Sequence, residues 1–161
     1  MKSIFKLLVA TFLTVAPLAA IAQSNVAHIN VQQLISEMPE VIAAQNELAK
    51  LEKDYTTQID NAFKEFQTKA QSYSSDAANQ TDVTNQARQK ELESMQTNLQ
   101  EFRDSAAQEL QKKQMDLMTP LLEKARSAIT KVGEEQGFNY VIDSSPNGGI
   151  ILANGKDLLA D

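Results

Sequence analysis

The chain has 161 residues, no cysteine, 6% aromatic residues and a formal net charge of −6. An acidic chain lacks the basic surface with which nucleic-acid-binding proteins contact phosphates. The absence of cysteine excludes disulfides and thiol chemistry. Composition therefore argues against nucleic-acid binding, and the few aromatic residues argue against a single globular core of ordinary density.

The first 22 residues have the pattern of a cleavable signal peptide. Lys2 and Lys6 precede an apolar run, and Ala20-Ile21-Ala22 places small residues at the two positions that signal peptidase reads. An N-terminal anchor is the weaker alternative, because a membrane span needs about 20 apolar residues. We expect cleavage after Ala22, secretion to the periplasm and no stable membrane insertion. The mature chain would carry 13 basic and 21 acidic side chains, a net charge of −8.

A short strand and a short helix are predicted next. Val26-Ala27-His28-Ile29 has the composition of a strand. Asn30, with Gln33 three residues later, resembles a capping box that begins a helix. Pro39 suits the first position of a new helix, where its missing N–H costs no hydrogen bond.

Residues 39–132 are predicted to form a helical hairpin with its tip near 74–83. The apolar positions of the outgoing helix recur with an eleven-residue period, which predicts nearly straight pairing. These positions are Leu51, Tyr55, Ile59, Ala62, Phe66, Ala70 and Tyr73. Two of these positions are alanines, and so are the predicted seam positions Ala77, Ala87 and Ala106. Each alanine lacks the stabilisation that a buried leucine would add. We therefore expect the arm to bend and to fray toward its tip.

The return helix is predicted to begin near Thr84 and to end at Gly137, the expected left-handed cap. Pro120 lies inside it and removes one backbone hydrogen bond, so we expect a helix bend there. Its apolar stripe comprises Leu92, Met95, Leu99, Phe102, Ala106, Leu110, Leu117, Leu121, Ala125, Ala128 and Val132.

The C-terminal segment is predicted to contain two strands, residues 139–143 and 150–153, followed by a frayed helical turn at 156–161. These strands are apolar on both faces, and one chain has too little material to cover them. We therefore expect a β body, residues 23–38 and 133–161, that assembles by oligomerisation; the residues alone do not fix the subunit number. Its predicted contact residues are Val26, Ile29, Leu34, Ile35, Phe138, Tyr140, Ile142, Ile150 and Leu152.

Candidate chemistry is sparse. His28 is the only histidine, and on a short apolar strand it is more simply a packed or edge residue than a catalyst. The sequence offers no ligands at metal-binding spacing and no nucleophile with a base, so we predict no catalytic, metal or cofactor site and no enzyme. Asn79-Gln80-Thr81 matches a glycosylation sequon, but such triplets are common by chance.

Apolar residues on and beside the hairpin stripe are the remaining candidates. Two interpretations of these residues are open. In the first, they belong to a wide seam between the two helices. In the second, they form a soft contact surface for exposed apolar segments of another chain, to which Met and aromatic side chains adapt well. The predicted client-contact residues are Tyr55, Phe63, Phe66, Tyr73, Met95, Phe102, Met115 and Met118.

The order of elements resembles the Skp (OmpH-like) family of periplasmic chaperones. The resemblance spans the mature chain and is carried by the Met38-Pro39-Glu40 corner and by Gly137-Phe138-Asn139-Tyr140-Val141-Ile142-Asp143. It implies an α+β fold, in which a coiled-coil-like helical-hairpin arm stands on a small β body, and a homotrimer whose arms surround a cavity. It further implies an ATP-independent holdase that keeps unfolded outer-membrane β-barrel proteins from aggregating.

A structural coiled-coil spacer or adaptor of the cell envelope is the alternative. A spacer favours a dense Leu/Ile seam, which this chain lacks. The best-known relatives are basic, whereas this chain is acidic, and this argues against electrostatic capture of acidic clients or lipid head groups.

Overall fold

The computed structural model of the protein describes residues 25–161, so the predicted signal peptide and its cleavage site lie outside the described residues. The chain is mostly helical with a small sheet, which confirms the α+β class with a long helical hairpin. The elements in chain order are β1 (Val26–Ile29), α1 (Val31–Glu37), α2 (Pro39–Asp76), a 3-10 helix (Ala77–Asn79), α3 (Asp82–Glu135), β2 (Tyr140–Asp143) and β3 (Lys156–Asp157).

The chain divides into two compact units. One contains residues 25–29 and 130–161, with all three strands, and the other contains residues 30–129, with α1, α2 and most of α3.

Helix α1 begins at the predicted cap. The Asn30 side-chain oxygen accepts a hydrogen bond of 3.0 Å from the Gln33 backbone N–H. The Gln33 side chain donates instead to Glu37 at 2.9 Å, so only one half of the predicted capping box forms. Helix α2 begins at Pro39 as predicted.

The sheet is parallel, with strand order β2-β1-β3. Val26 is paired with Tyr140, and His28 is paired with Asp157. Ala27 and Ile29 on the central strand are buried. Gly133 allows the last turns of α3 to approach β2, because a Cβ at this position would lie 2.8 Å from Val141 Cγ2.

The predicted strand at Ile150-Ile151-Leu152-Ala153 is wrong. This segment forms no strand, and its Ile151 and Leu152 side chains are 102% and 75% exposed. The third strand is instead Lys156–Asp157, where we predicted a frayed helical turn. The Leu158 N–H donates to the His28 carbonyl at 3.0 Å, and the Leu158 side chain is buried. Burial of one leucine and pairing with β1 therefore select the later segment.

Helix α3 ends in the predicted manner. Gly137 has a φ of +73°, which only glycine adopts without strain. The Phe138 N–H donates to the Gly133 carbonyl at 2.9 Å, and the Gly137 N–H donates to the Glu134 carbonyl at 3.0 Å. These two bonds define a Schellman motif and satisfy carbonyls at the helix end.

Candidate functional site: the helical hairpin

Helices α2 and α3 pair antiparallel, and polar side chains join them at five levels. The residue number falls on α3 as it rises on α2, as an antiparallel hairpin requires. The pairs, from the base of the hairpin to its tip, are Glu40–Lys124, Glu47–Lys113, Tyr55–Glu109, Lys69–Glu91 and Asp76–Arg88.

The apolar seam follows the predicted positions with two exceptions. All seven predicted positions of α2 are half-buried, and Leu99, Ala106 and Ala125 of α3 are buried. Ala87 is exposed, so its prediction as a seam residue is wrong. Ala128 is exposed as well, and Ile129 occupies the seam position instead. The larger side chain buries more apolar surface there, so the predicted stripe is wrong by one residue at this level.

Two predicted client-contact residues contact each other inside the hairpin. The rings of Tyr55 and Phe102 lie edge to face, with 6.0 Å between centroids and 70° between planes. The Tyr55 hydroxyl donates to the Glu109 carboxylate, and this bond raises the pKa of the tyrosine. Tyr55 therefore makes both an aromatic and a polar contact with α3.

A network of charged side chains holds the distal end. The Lys69 ammonium and the Tyr73 hydroxyl donate to Glu91 at 2.5 and 2.6 Å. The bond from Lys69, and next the bond from Tyr73, lowers the pKa of the Glu91 carboxyl. Arg88 Nη2 donates to Asp76 at 3.0 Å, and its guanidinium lies 4.7 Å from the centre of the Tyr73 ring. These contacts link α2 to α3 near the tip of the hairpin.

Sequence reasoning missed this network because it treated Tyr73 only as an apolar seam residue. A signal was present in the sequence. Lys69 and Tyr73 lie one turn apart on α2, as do Arg88 and Glu91 on α3, so both helices present polar groups at one face.

Exposed apolar side chains remain on the hairpin. Phe63 is 40% exposed, and its ring stacks on Phe66 with 6.4 Å between centroids. Met115 is 55% exposed. The other predicted client-contact residues are half-buried: Tyr55, Phe66, Tyr73, Met95, Phe102 and Met118. Phe63 and Met115 are thus the two members of the set that present the largest free apolar surface.

The predicted oligomer-body residues are spread over three burial classes. Ile29 is buried. Leu34, Ile35, Phe138 and Ile150 are half-buried. Val26, Tyr140, Ile142 and Leu152 are exposed.

His28 lies on the central strand and not at an edge. Its Nδ1 lies 3.3 Å from the Ser144 hydroxyl, and its Nε2 lies 3.2 Å from the Gly155 carbonyl. Both ring nitrogens therefore join β1 to the segments that flank it, which is a packing role. Among residues 25–161 no group of His, Cys, Asp or Glu could hold a metal ion. Within the same residues, no helix has the length and apolarity to cross a membrane.

The fold and its surface define a class of protein. The chain combines a small parallel sheet with a long antiparallel helical hairpin, and exposed apolar side chains occur in each of the two units. The profile of the outer membrane protein (OmpH-like) family matches residues 25–161. The chain belongs to this family, as the sequence resemblance predicted.

A known relative matches over most of its length. The chain is 25% identical over 154 residues to the "Chaperone protein Skp" of Yersinia enterocolitica, which covers 92% of this chain and 90% of that protein. This family, with a relative described as a chaperone, fits a non-enzymatic function.

Proposed function

We propose that the protein is an ATP-independent periplasmic holdase. It surrounds unfolded outer-membrane β-barrel proteins with helical hairpins and prevents their aggregation. The observation that carries the proposal is the hairpin itself, whose seam is thin while Phe63 and Met115 remain exposed. Membership of the OmpH-like family and similarity to a protein described as a chaperone support it.

The mechanism follows from the contact surface. Exposed Met and aromatic side chains adapt to many sequences, because thioethers are flexible and aromatic rings offer large apolar faces. Each contact is weak, so a client stays soluble while bound and can still be released. Nothing in this scheme needs a nucleotide or a metal.

The working form is a homotrimer assembled through the strand-bearing residues, 25–38 and 133–161. Apolar side chains at Tyr140, Ile142, Ile151 and Leu152 are exposed in the single chain. Contact with other copies would remove this apolar surface from water, which stabilises an assembly by about 25 cal/mol per Å² buried. Residues 39–132 form the arm, and Pro120 allows it to bend.

A structural spacer is the second candidate, and one observation favours it. Five cross-helix pairs join α2 to α3 in addition to the alanine-rich seam, and a fixed set of such contacts suits a spacer. A spacer needs stiffness and a fixed partner, whereas a holdase needs broad and reversible contact with unfolded chains.

Aggregation assays separate the two functions. An unfolded β-barrel membrane protein is diluted into buffer with or without residues 23–161, and light scattering is followed. The holdase suppresses scattering at stoichiometric trimer. Unchanged scattering would rule out this function and leave the spacer.

A paired variant tests the contact surface. Replacing Phe63 and Phe66 with Ser should weaken client holding while the mass of the oligomer changes little. The single Phe63→Ser variant is the matched comparison, because Phe63 is exposed and Phe66 belongs to the seam. Equal loss of holding and of oligomer mass would mean that the two rings serve only packing.

A further inference from the structure

Charge is unevenly distributed along the hairpin. Its distal half, residues 54–109, extends from the level of the Tyr55–Glu109 hydrogen bond to the tip. This half carries ten carboxylates and five basic side chains, a net charge of −5. The remainder of the hairpin in the same unit, residues 39–53 and 110–129, carries five carboxylates and six basic side chains, a net charge of +1.

The internal ion pairs leave the excess negative charge at the surface. Lys69 and Arg88 are already paired with Glu91 and Asp76. Three basic side chains of the distal half then remain outside ion pairs in the described residues, namely Lys64, Lys90 and Arg103. Eight exposed carboxylates remain, namely Asp54, Asp60, Asp82, Asp104, Glu65, Glu93, Glu101 and Glu109.

The same half carries the exposed aromatic pair. Phe63 stacks on Phe66 and is partly exposed. Asp60 lies one turn before Phe63, and residues three apart on a helix are neighbours on its surface. A partner that contacts Phe63 therefore meets a carboxylate within one turn. Apolar contact and negative charge occur together on this surface.

We propose that the distal half of the hairpin selects cationic segments of unfolded polypeptide, in which Lys or Arg side chains alternate with apolar ones. Charge complementarity fixes the class of partner, because acidic segments would meet like charge at close range. This inference rests on the proposed holdase function. Three hairpins around one cavity would triple the negative charge that a bound segment meets.

Matched unfolded peptides test the selection. Two fluorescent peptides have the same length and the same apolar residues, and carry Lys in one and Glu in the other. Binding is measured by fluorescence anisotropy with residues 23–161. We expect the Lys peptide to bind about tenfold tighter at low ionic strength, which corresponds to 1.4 kcal/mol. The difference should close in about 1 M salt, where the screening length is about 3 Å.

Charge variants locate the effect on the hairpin. The triple variant Asp54→Asn, Asp60→Asn and Glu101→Gln removes exposed carboxylates of the distal half that make no ion pair. The matched control, Glu52→Gln, Asp116→Asn and Glu123→Gln, removes three exposed carboxylates from the remainder. Both sets keep side-chain size, and circular dichroism checks that both retain their helices. Only the distal variant should lose most of the preference for the Lys peptide.

The outcomes separate this inference from the function on which it rests. Equal binding of the two peptides at low salt would overturn the selection and leave the holdase function standing. The same loss in both triple variants would overturn its assignment to the distal half. No binding of either peptide, together with no effect on aggregation, would overturn both proposals.

Discussion

Arg88 makes two contacts at the tip, one with a carboxylate and one with an aromatic ring. Its guanidinium donates to Asp76 and lies over the Tyr73 ring. A planar, delocalised cation both binds a carboxylate and stacks on an aromatic ring, whereas an ammonium is a compact charge. The bond from Arg88 is the main cause that lowers the pKa of the Asp76 carboxyl. One side chain thus joins the end of α2 to the start of α3.

Replacing Arg88 with Ala should loosen the tip. Amide hydrogen exchange between residues 69 and 91 should become several-fold faster, because the contacts to Asp76 and Tyr73 are lost together. Hydrogen exchange with mass spectrometry measures this change. Lys90→Ala is the matched control, since Lys90 is exposed and outside the ion pairs. Equal acceleration in both variants would show that the guanidinium contacts do not hold the tip.

Acid should weaken the same region. The pKa of Glu91 is lowered from its ordinary value of 4.5, mainly by the bond from Lys69 and next by that from Tyr73. A lowered folded-state pKa adds stability that is present above the unfolded value and is lost as the pH falls through the folded value. Melting temperature should therefore fall below about pH 4.5, and less in Glu91→Gln than in the unchanged chain.

The matched control for the acid titration is Glu93→Gln, which removes a nearby exposed carboxylate outside the ion pairs. Glu93→Gln should keep the full acid-induced fall in melting temperature. A fall that is the same in Glu91→Gln and in the unchanged chain would contradict a role for Glu91.

At the scale of elements, packing keeps α3 continuous, whereas a local signal determines where it ends. The helix runs for 54 residues and passes through Pro120 without interruption. The proline removes one backbone bond, but half-buried seam residues on both sides, Leu117 and Leu121, keep the segment in the hairpin. Its end is set locally instead, by Gly137.

Gly137→Ala should destabilise the protein by about 1 to 2 kcal/mol, because an L-residue with positive φ brings its Cβ close to the following carbonyl oxygen. The fitting control is Gly155→Ala. A Cβ at residue 155 would meet neighbours only at ordinary contact distance. Urea unfolding at one fixed protein concentration measures both variants, since association changes apparent stability. Equal stability of the two variants would contradict a stabilising role for glycine at the Gly137 cap.

For the whole molecule, the main feature is apolar surface that one chain leaves uncovered. Tyr140, Ile142, Ile151 and Leu152 all belong to the unit that contains the strands and are exposed. A three-stranded sheet with strands of two to four residues buries little by itself. Both observations support assembly with further copies.

Replacing Ile151 and Leu152 with Asp should lower the mass of the particle toward that of one chain. Burial of two unpaired charges at an interface is costly, whereas burial of two apolar side chains is favourable. Light scattering coupled to gel filtration measures the mass. Val83→Asp is the control, since Val83 is an exposed apolar residue of the other unit. An unchanged mass in the double variant would exclude this segment from the interface.

The features that the sequence predicted correctly are those decided within a few residues. The start of α2 at Pro39, the Asn30 cap and the left-handed Gly137 each depend on the local backbone. The hairpin seam was also predictable, because its period is a property of the helix itself. The family resemblance followed from the same local segments in their order.

Other features depend on residues far apart in the chain, and only the tertiary structure decided them. Pairing with β1 chose Lys156–Asp157 over the more apolar segment 150–153, because Leu158 becomes buried in that register. The contact of Arg88 with Tyr73 exists because the turn brings α3 back against α2. Composition gave the acidic charge of the chain, but the ion pairs between the helices decided which carboxylates remain free. Propensity and periodicity act along the chain, whereas strand choice and charge pairing depend on which surfaces meet.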